Sequence, residues 1–303
     1  MVINNIDKLK KNLNNSNLSI FLFHGVIKKR VSKSSIRNYN NKHIEKKKFE
    51  KYISFLSKNG IAITFDDLFK TTSYKKKYII TFDDGFYNNR KYALPILRKY
   101  NVPHMIYVTT NYVDKNLISW VDRIDLAIDK TKKKSIYSNY FKKNFKIDDN
   151  KKKIFFLNFI RKFAKSLKDK DLNKFADFLL NDLNLKAPLI SNSDLDKKLS
   201  WKDIKHMSKN KLTYFGGHSH NHNILGHLSK SKYKKEILRS LNIFRQKTDS
   251  KIIHYSFPEG FKSSFNNEII KILKMKKIKT CVTTLKSKKI INSYFTLDRS
   301  FVI

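Results

Sequence analysis

The stretch Ile79-Ile80-Thr81-Phe82-Asp83-Asp84-Gly85-Phe86 decides how this chain is read. An apolar run rich in β-branched and aromatic residues, the composition of a strand, ends abruptly in two adjacent carboxylates and a glycine. Carboxylates at the end of a parallel strand point into the crevice above the sheet, and the glycine lets the backbone turn sharply or approach a ligand. Two neighbouring acids in such a place call for a cation.

Outward from this strand, the pattern predicts further strands at residues 20–26, 104–109, 212–216, 253–257 and 279–283. Helical periodicity falls between them at residues 46–58, 89–100, 201–209, 230–247 and 266–275. Alternating strands and helices predict an α/β protein with a parallel sheet, and periodicity by itself leaves a barrel and an open doubly wound sheet as alternatives. In either, chemistry belongs at the C-terminal ends of the strands.

The predicted strand at 212–216 runs into Gly217-His218-Ser219-His220-Asn221-His222. A helical turn after Gly217 would put His218 and His222 on one face, as a divalent metal needs from two neutral nitrogen ligands. With Asp84 they make a two-histidine, one-carboxylate set that leaves positions for water and substrate. The bland reading of an Asp-Asp pair is a turn or a helix cap, and the chain contains a control. Ile63-Thr64-Phe65-Asp66-Asp67 repeats Ile80 to Asp84 with Leu68 in place of the glycine, and there the acids read as the cap of a short helix. His206, His227 and His254 read as surface or packing residues.

Together these motifs resemble the polysaccharide deacetylase family, the NodB-homology, carbohydrate esterase type. Thr81-Phe82-Asp83-Asp84-Gly85 matches its first motif, and His218-Ser219 with His222 and Leu225 matches its second. Weaker matches are Phe257-Pro258-Glu259-Gly260, Phe23-His24-Gly25, Trp120-Val121-Asp122-Arg123 and Leu297-Asp298-Arg299. The resemblance runs from about Leu18 onward, the middle excepted. It implies a distorted, incompletely closed (β/α) barrel with a helical insertion. Two departures stand out: Glu259 where many members carry an aromatic residue, and Ser256 where some carry an arginine. The late L-x-I-x-x-H motif is also absent, and in relatives of this kind a histidine on the first strand supplies the missing imidazole, which selects His24.

The resemblance implies a divalent ion on Asp84, His218 and His222, most simply zinc, with cobalt, manganese, nickel or iron also fitting such ligands. It assigns Asp83 as general base, kept ionised by Arg299, and His24 as general acid to the departing amine. A backbone N–H in the turn Pro258-Glu259-Gly260 would serve the oxyanion and the substrate. The implied activity is metal-dependent hydrolysis of the acetamide of an N-acetylated sugar in a glycan or glycolipid precursor. Alternatives are an O-acetyl esterase using the same site and a catalytically silent glycan-binding relative. Keeping Asp83, Asp84, His218 and His222 together argues against the silent relative.

At 303 residues and 40% hydrophobic content the chain can bury a large core. The expected organisation is a polar N-terminal extension at 1–17, barrel segments at 18–113 and 200–303, and a Lys-rich helical insertion or cap at 114–199. In the insertion, Phe156, Phe159, Ile160 and Phe163 form one apolar stripe, and Leu172, Phe175, Phe178 and Leu179 another. The favoured reading is a cap packed on the barrel; the alternative is an amphipathic surface on a membrane, suited to a lipid-linked sugar.

The formal net charge of +40 is extreme. Spread over every surface segment, it reads first as a solvated lysine coat. The sharper reading is a polyanionic partner, an anionic membrane surface or an acidic glycan. No specific nucleic acid is expected, because no zinc-finger, basic-zipper or RNA-recognition signature occurs and arginine, the usual base reader, is scarce. The single Cys281 excludes an intramolecular disulfide and reads as a buried strand residue. No segment has the length of a bilayer span and no leader pattern is evident, so the expected location is cytoplasmic, with attachment to the membrane periphery as its variant.

Overall fold

The computed structural model describes residues 2–16, 18–71, 73–285 and 293–303. It begins with β1 (Val2–Ile3), α1 (Ile6–Asn15) and β2 (Leu18–Phe23). A small parallel pair, β3 (Gly25–Ile27) and β4 (His43–Glu45), leads to α2 (Lys46–Asn59), β5 (Ile61–Ala62) and β6 (Lys77–Phe82). A π-helical turn at Asn89–Ala93 enters α3 (Leu94–Lys99), where Pro95 lacks the N–H that a regular first turn would use. Then come β7 (His104–Val108), α4 (Thr110–Lys115), α5 (Trp120–Lys130), the hairpin β8 (Ser135–Ser138) with β9 (Lys143–Lys146), α6 (Asn150–Ser166) and α7 (Leu172–Asp182). The chain closes with α8 (Trp201–Ser208), β10 (Thr213–Gly217), α9 (Lys230–Thr248), β11 (His254–Ser256), α10 (Asn267–Met275), β12 (Thr280–Thr283), β13 (Leu297–Asp298) and β14 (Ser300–Val302).

One parallel sheet organises these elements in the order β1-β14-β2-β6-β7-β10-β11-β12-β13, with β5 on the end of β6. Because the strands are buried on both faces, alternate residues serve two cores. Phe21, Phe23, Ile80, Phe82, Ile106 and Val108 face the outer helices. Ile20, Ile79, Met105, Tyr107 and Val282 face the interior, which Phe65 and Leu68 help to fill.

β13 and β14 are separated in the chain by Arg299 alone, yet β13 lies at one edge of the sheet and β14 beside the other, between β1 and β2. The sheet therefore curls into an open half-barrel whose two edges approach each other at Arg299. This is the incompletely closed α/β architecture that the motifs imply.

Residues 2–15, expected as a polar extension, are built into the barrel. β1 pairs with β14, and Ile3, Leu9 and Leu13 are fully buried. The helix looks polar in sequence because only one narrow stripe of it touches the core. Residues within 114–199 carry a second apolar cluster, with Trp120, Ile124, Phe145, Phe156, Ile160 and Leu179 at its centre. Phe159 and Phe178, assigned to the two stripes, stay 38% and 48% exposed.

Candidate metal centre and catalytic crevice

Asp83 follows β6 directly and its N–H still donates to Phe23 O at 3.1 Å, so the strand fixes its place. Asp84 and Gly85 then take left-handed φ of 69° and 68°, which turns the chain sharply. At Gly85 a Cβ would press on Val108 and Val113 at 3.2 and 3.3 Å. Both carboxylates are buried, and they have different partners.

Asp83 is gripped by Arg299 in a fork, Nη1 to Oδ1 at 2.8 Å and Nη2 to Oδ2 at 2.7 Å. Arg299 also donates to Thr81 Oγ1 and to Ser256 Oγ. Burial opposes ionisation of Asp83, but the Arg299 guanidinium outweighs it and holds the acid below its ordinary range. Ser256 thus stands where an arginine was missing from the third motif, and the guanidinium arrives from the seam between β13 and β14 instead.

Asp84 turns Oδ1 toward two imidazoles, 3.3 Å from His222 Nε2 and 3.7 Å from His218 Nε2. His218 Nδ1 donates to Ser256 O at 2.8 Å, because a carbonyl can only accept, which leaves Nε2 as the lone-pair nitrogen. His222 stacks on Tyr112 and meets His218 edge-on at 4.8 Å. Ligand atoms of Asp84, His218 and His222 lie within 4.8 Å of one another. Asp84 Oδ1 is buried and accepts no hydrogen bond among the described residues. An open carboxylate oxygen facing two nitrogens is the donor set a small divalent cation requires, so the residues fit the ion that the motifs imply.

The expected helical turn at 218–222 does not form. Ser219 and His222 adopt left-handed φ of 61° and 58°, and a looped backbone, not a helix face, brings the imidazoles together. Glu236 of α9 holds that loop, accepting from His220 N at 3.1 Å, Asn221 N at 2.8 Å and Asn221 Nδ2 at 2.6 Å. His220 turns away to Thr110 Oγ1. Sequence reasoning missed Glu236, although a carboxylate among Tyr233, Ile237, Ser240 and Phe244 on the buried face of α9 was a readable signal.

His24 follows β2 with its ring edge on Phe301, and its Nδ1 is buried without a partner among the described residues. Burial lowers its pKa to about 4, against the opposing pull of Asp84. Pro258, Glu259 and Gly260 form the turn after β11, with left-handed φ at Glu259 and Gly260. The Glu259 carboxylate meets Lys165 of α6 at 2.7 Å, so it neither faces solvent freely nor stands unpaired. Burial opposes its ionisation, and Lys165 and His222 override that. Asp66 and Asp67 lie in a separate 3₁₀ turn at Asp66–Phe69, where Asp67 accepts from Thr64 and Asp66 pairs with Lys279.

Two lysines reach this region unannounced. Lys42 lies between Asp84 and Asp122, and Lys198 is buried over the Phe86 ring at 3.7 Å. In a chain with 65 basic residues nothing in the sequence marks these two.

This chain belongs to the polysaccharide deacetylase family, whose model matches residues 70–281. Among solved structures it is similar to the Streptococcus pyogenes deacetylase PplD in complex with acetate, at 15% identity and TM-score 0.58, covering 94% of this chain and 92% of that one. It is also similar to a de-N-acetylase from Aggregatibacter actinomycetemcomitans, at 14% identity and TM-score 0.56, with 94% of each chain covered. IcaB from Ammonifex degensii aligns at 14% identity and TM-score 0.55, over 95% of this chain and 92% of its own. At such identities the likeness speaks for the fold. No curated protein sequence matches the chain.

Proposed function

We propose that this carbohydrate deacetylase is a metal-dependent N-deacetylase that hydrolyses the acetamide of an N-acetylated sugar in a glycan or glycolipid precursor. The observation that carries the reading is the division between the adjacent acids: Asp83 is neutralised by Arg299, while Asp84 offers an open oxygen to His218 and His222. A bound divalent ion would acidify water and polarise the acyl oxygen.

Asp83, ionised and aligned by the guanidinium fork, takes the proton from the attacking water. For the developing oxyanion we assign a backbone N–H of Glu259 or Gly260 in the turn after β11, a role that does not depend on the side chain at 259. The departing nitrogen needs a proton, and His24, buried within the electrostatic reach of Asp84 and Asp83, is the imidazole we assign to deliver it. With its pKa near 4 in the buried pocket, His24 is neutral at pH 7 and must first collect a proton, for which Asp83 is a source within the same electrostatic cluster. Zinc is the simplest occupant of the ligand set.

The test is acetate release from N-acetylated hexosamine oligomers, lipid-linked N-acetylated sugars and O-acetylated controls, with metal-stripped protein and with added zinc or cobalt. Metal-dependent release from the N-acetylated members alone supports the reading, and release from the O-acetylated controls alone refutes it.

We further propose that the insertion meets an anionic membrane surface. Phe155 is 74% exposed one turn from Phe159 on α6, and ring contacts run from Phe159 through Phe141 to Tyr140 and on to Phe178, within a strongly cationic chain. Among the described residues no helix is long and apolar enough to cross a membrane. Flotation with phosphatidylserine vesicles, lost on Phe155→Ser/Phe159→Ser, is the expected result; equal flotation of the variant would oppose it.

A further inference from the structure

Most lysines here lie on the surface, where the lysine coat explains them. Lys42 does not fit that explanation. Its side chain is 13% exposed and its ammonium lies 3.1 Å from Asp84 Oδ2 and 3.0 Å from Asp122 Oδ2, with the Phe86 ring centroid at 4.7 Å. Asp122 is itself fixed, because Ser119 Oγ donates to the same Oδ2 at 2.6 Å. The backbone is fixed as well: Asn38 accepts from His43 N at 2.7 Å and donates to His43 O at 2.8 Å, clamping the residue next to Lys42. The position is therefore built and not an accident of a long flexible side chain.

The two oxygens of Asp84 consequently have separate tasks. Oδ1 faces His218 and His222, and Oδ2 is held by Lys42. We infer that Lys42 is a positioning residue for the metal ligand: it restricts Asp84 to ligation through one oxygen and, by its charge, weakens the hold of the site on the ion, with Asp122 setting how much of that charge Asp84 feels. Single-oxygen ligation leaves one more coordination position for water and the acetyl group, and a less electron-rich ligand leaves the ion a stronger Lewis acid. The inference rests on the reading that Asp84, His218 and His222 hold a divalent ion.

Loss of the charge at Lys42 and at Asp122 should shift zinc affinity in opposite directions, which loss of a merely structural contact would not do. Removing the ammonium in Lys42→Gln takes away a positive charge close to the ion, and zinc should bind tighter by roughly ten-fold or more at an effective dielectric near 20. Asp122→Asn leaves the whole of that charge on Asp84, and zinc should bind more weakly by a similar factor. Lys42→Arg should stay near the wild type. A lysine that only held the loop in shape would weaken binding when lost.

The experiment is competition between the metal-stripped full-length protein and a chelator for zinc, with the visible spectrum of the cobalt form recorded in parallel. Tighter binding in Lys42→Gln, weaker binding in Asp122→Asn and an altered cobalt spectrum in Lys42→Gln are expected. Weaker or unchanged zinc affinity in Lys42→Gln overturns the inference, while a wild type that takes no zinc overturns the metal reading itself. Should either single variant fail to fold, Lys42→Gln/Asp122→Asn removes both charges together. Its cobalt spectrum should still differ from wild type as Oδ2 becomes free, and an identical spectrum overturns the inference.

Discussion

Replacing Arg299 with methionine separates the roles of the two adjacent acids. In the wild type, side chains of Arg299 and Asp83 are 1% and 5% exposed and joined by two hydrogen bonds of 2.8 and 2.7 Å. Breaking a buried pair from one side leaves an uncompensated charge, which costs about 3–5 kcal/mol. The pH dependence follows from the direction of the shift. The folded-state pKa of Asp83 lies below its ordinary value, so the pair stabilises the fold above the unfolded-state pKa near 3.9 and that contribution is lost as pH falls through the folded value. In Arg299→Met burial remains while the largest opposing charge is gone, so the pKa of Asp83 rises. The loss of stability should be largest at neutral pH and shrink as pH falls, first as the folded variant's Asp83, its pKa raised, takes up a proton, and then below the ordinary carboxylate range as the wild-type pair loses its charge. Urea unfolding of metal-stripped wild type and variant at several pH values measures this, and kcat/KM profiles should show the acid limb moving to higher pH. A destabilisation independent of pH, with an unmoved acid limb, would refute the assignment of Arg299 as the partner that keeps Asp83 ionised.

Asp83→Asn should retain zinc and lose roughly 10²- to 10⁴-fold in turnover, the range for a general base; turnover near wild type would remove Asp83 from that role. His218→Ala and His222→Ala should each lose zinc as well as activity, read by metal content after dialysis, and full occupancy in both would rule out the ligand set. Glu236→Ala leaves the His220 and Asn221 N–H groups unpaired at about 1–3 kcal/mol each. It should lower urea stability and zinc affinity together although no ligand changes, and unchanged affinity would show that the loop holds its shape without Glu236.

The first two motifs were legible because their chemistry allows few residue types and strand ends fix where they point. The alternation of those strands with helical stretches pointed to a parallel α/β sheet, and the resemblance carried by the motifs, not periodicity, selected the incompletely closed barrel over an open doubly wound sheet. What stayed hidden has physical reasons. The backbone that brings His218 and His222 together depends on left-handed φ at a serine and a histidine, which no residue type announces. β13 and β14 are two and three residues long, too short for periodicity, yet they carry Arg299 across the seam of the sheet. The interior role of α1 is concealed by its lysines and asparagines, although Leu9 and Leu13 lie four positions apart on one face. Lys42 and Lys198 are indistinguishable in sequence from the lysines that coat the surface; only burial beside Asp84 and Asp122 separates them.

The central claim is that one divalent ion on Asp84, His218 and His222 makes the crevice a deacetylase. It is tested most directly by titrating zinc into metal-stripped protein while acetate release from an N-acetylated hexosamine oligomer is followed. The account predicts no release without metal, then a rise that saturates at one zinc per chain. Release at full rate before zinc is added, or a bound ion that brings no release from any N-acetylated substrate, would contradict it.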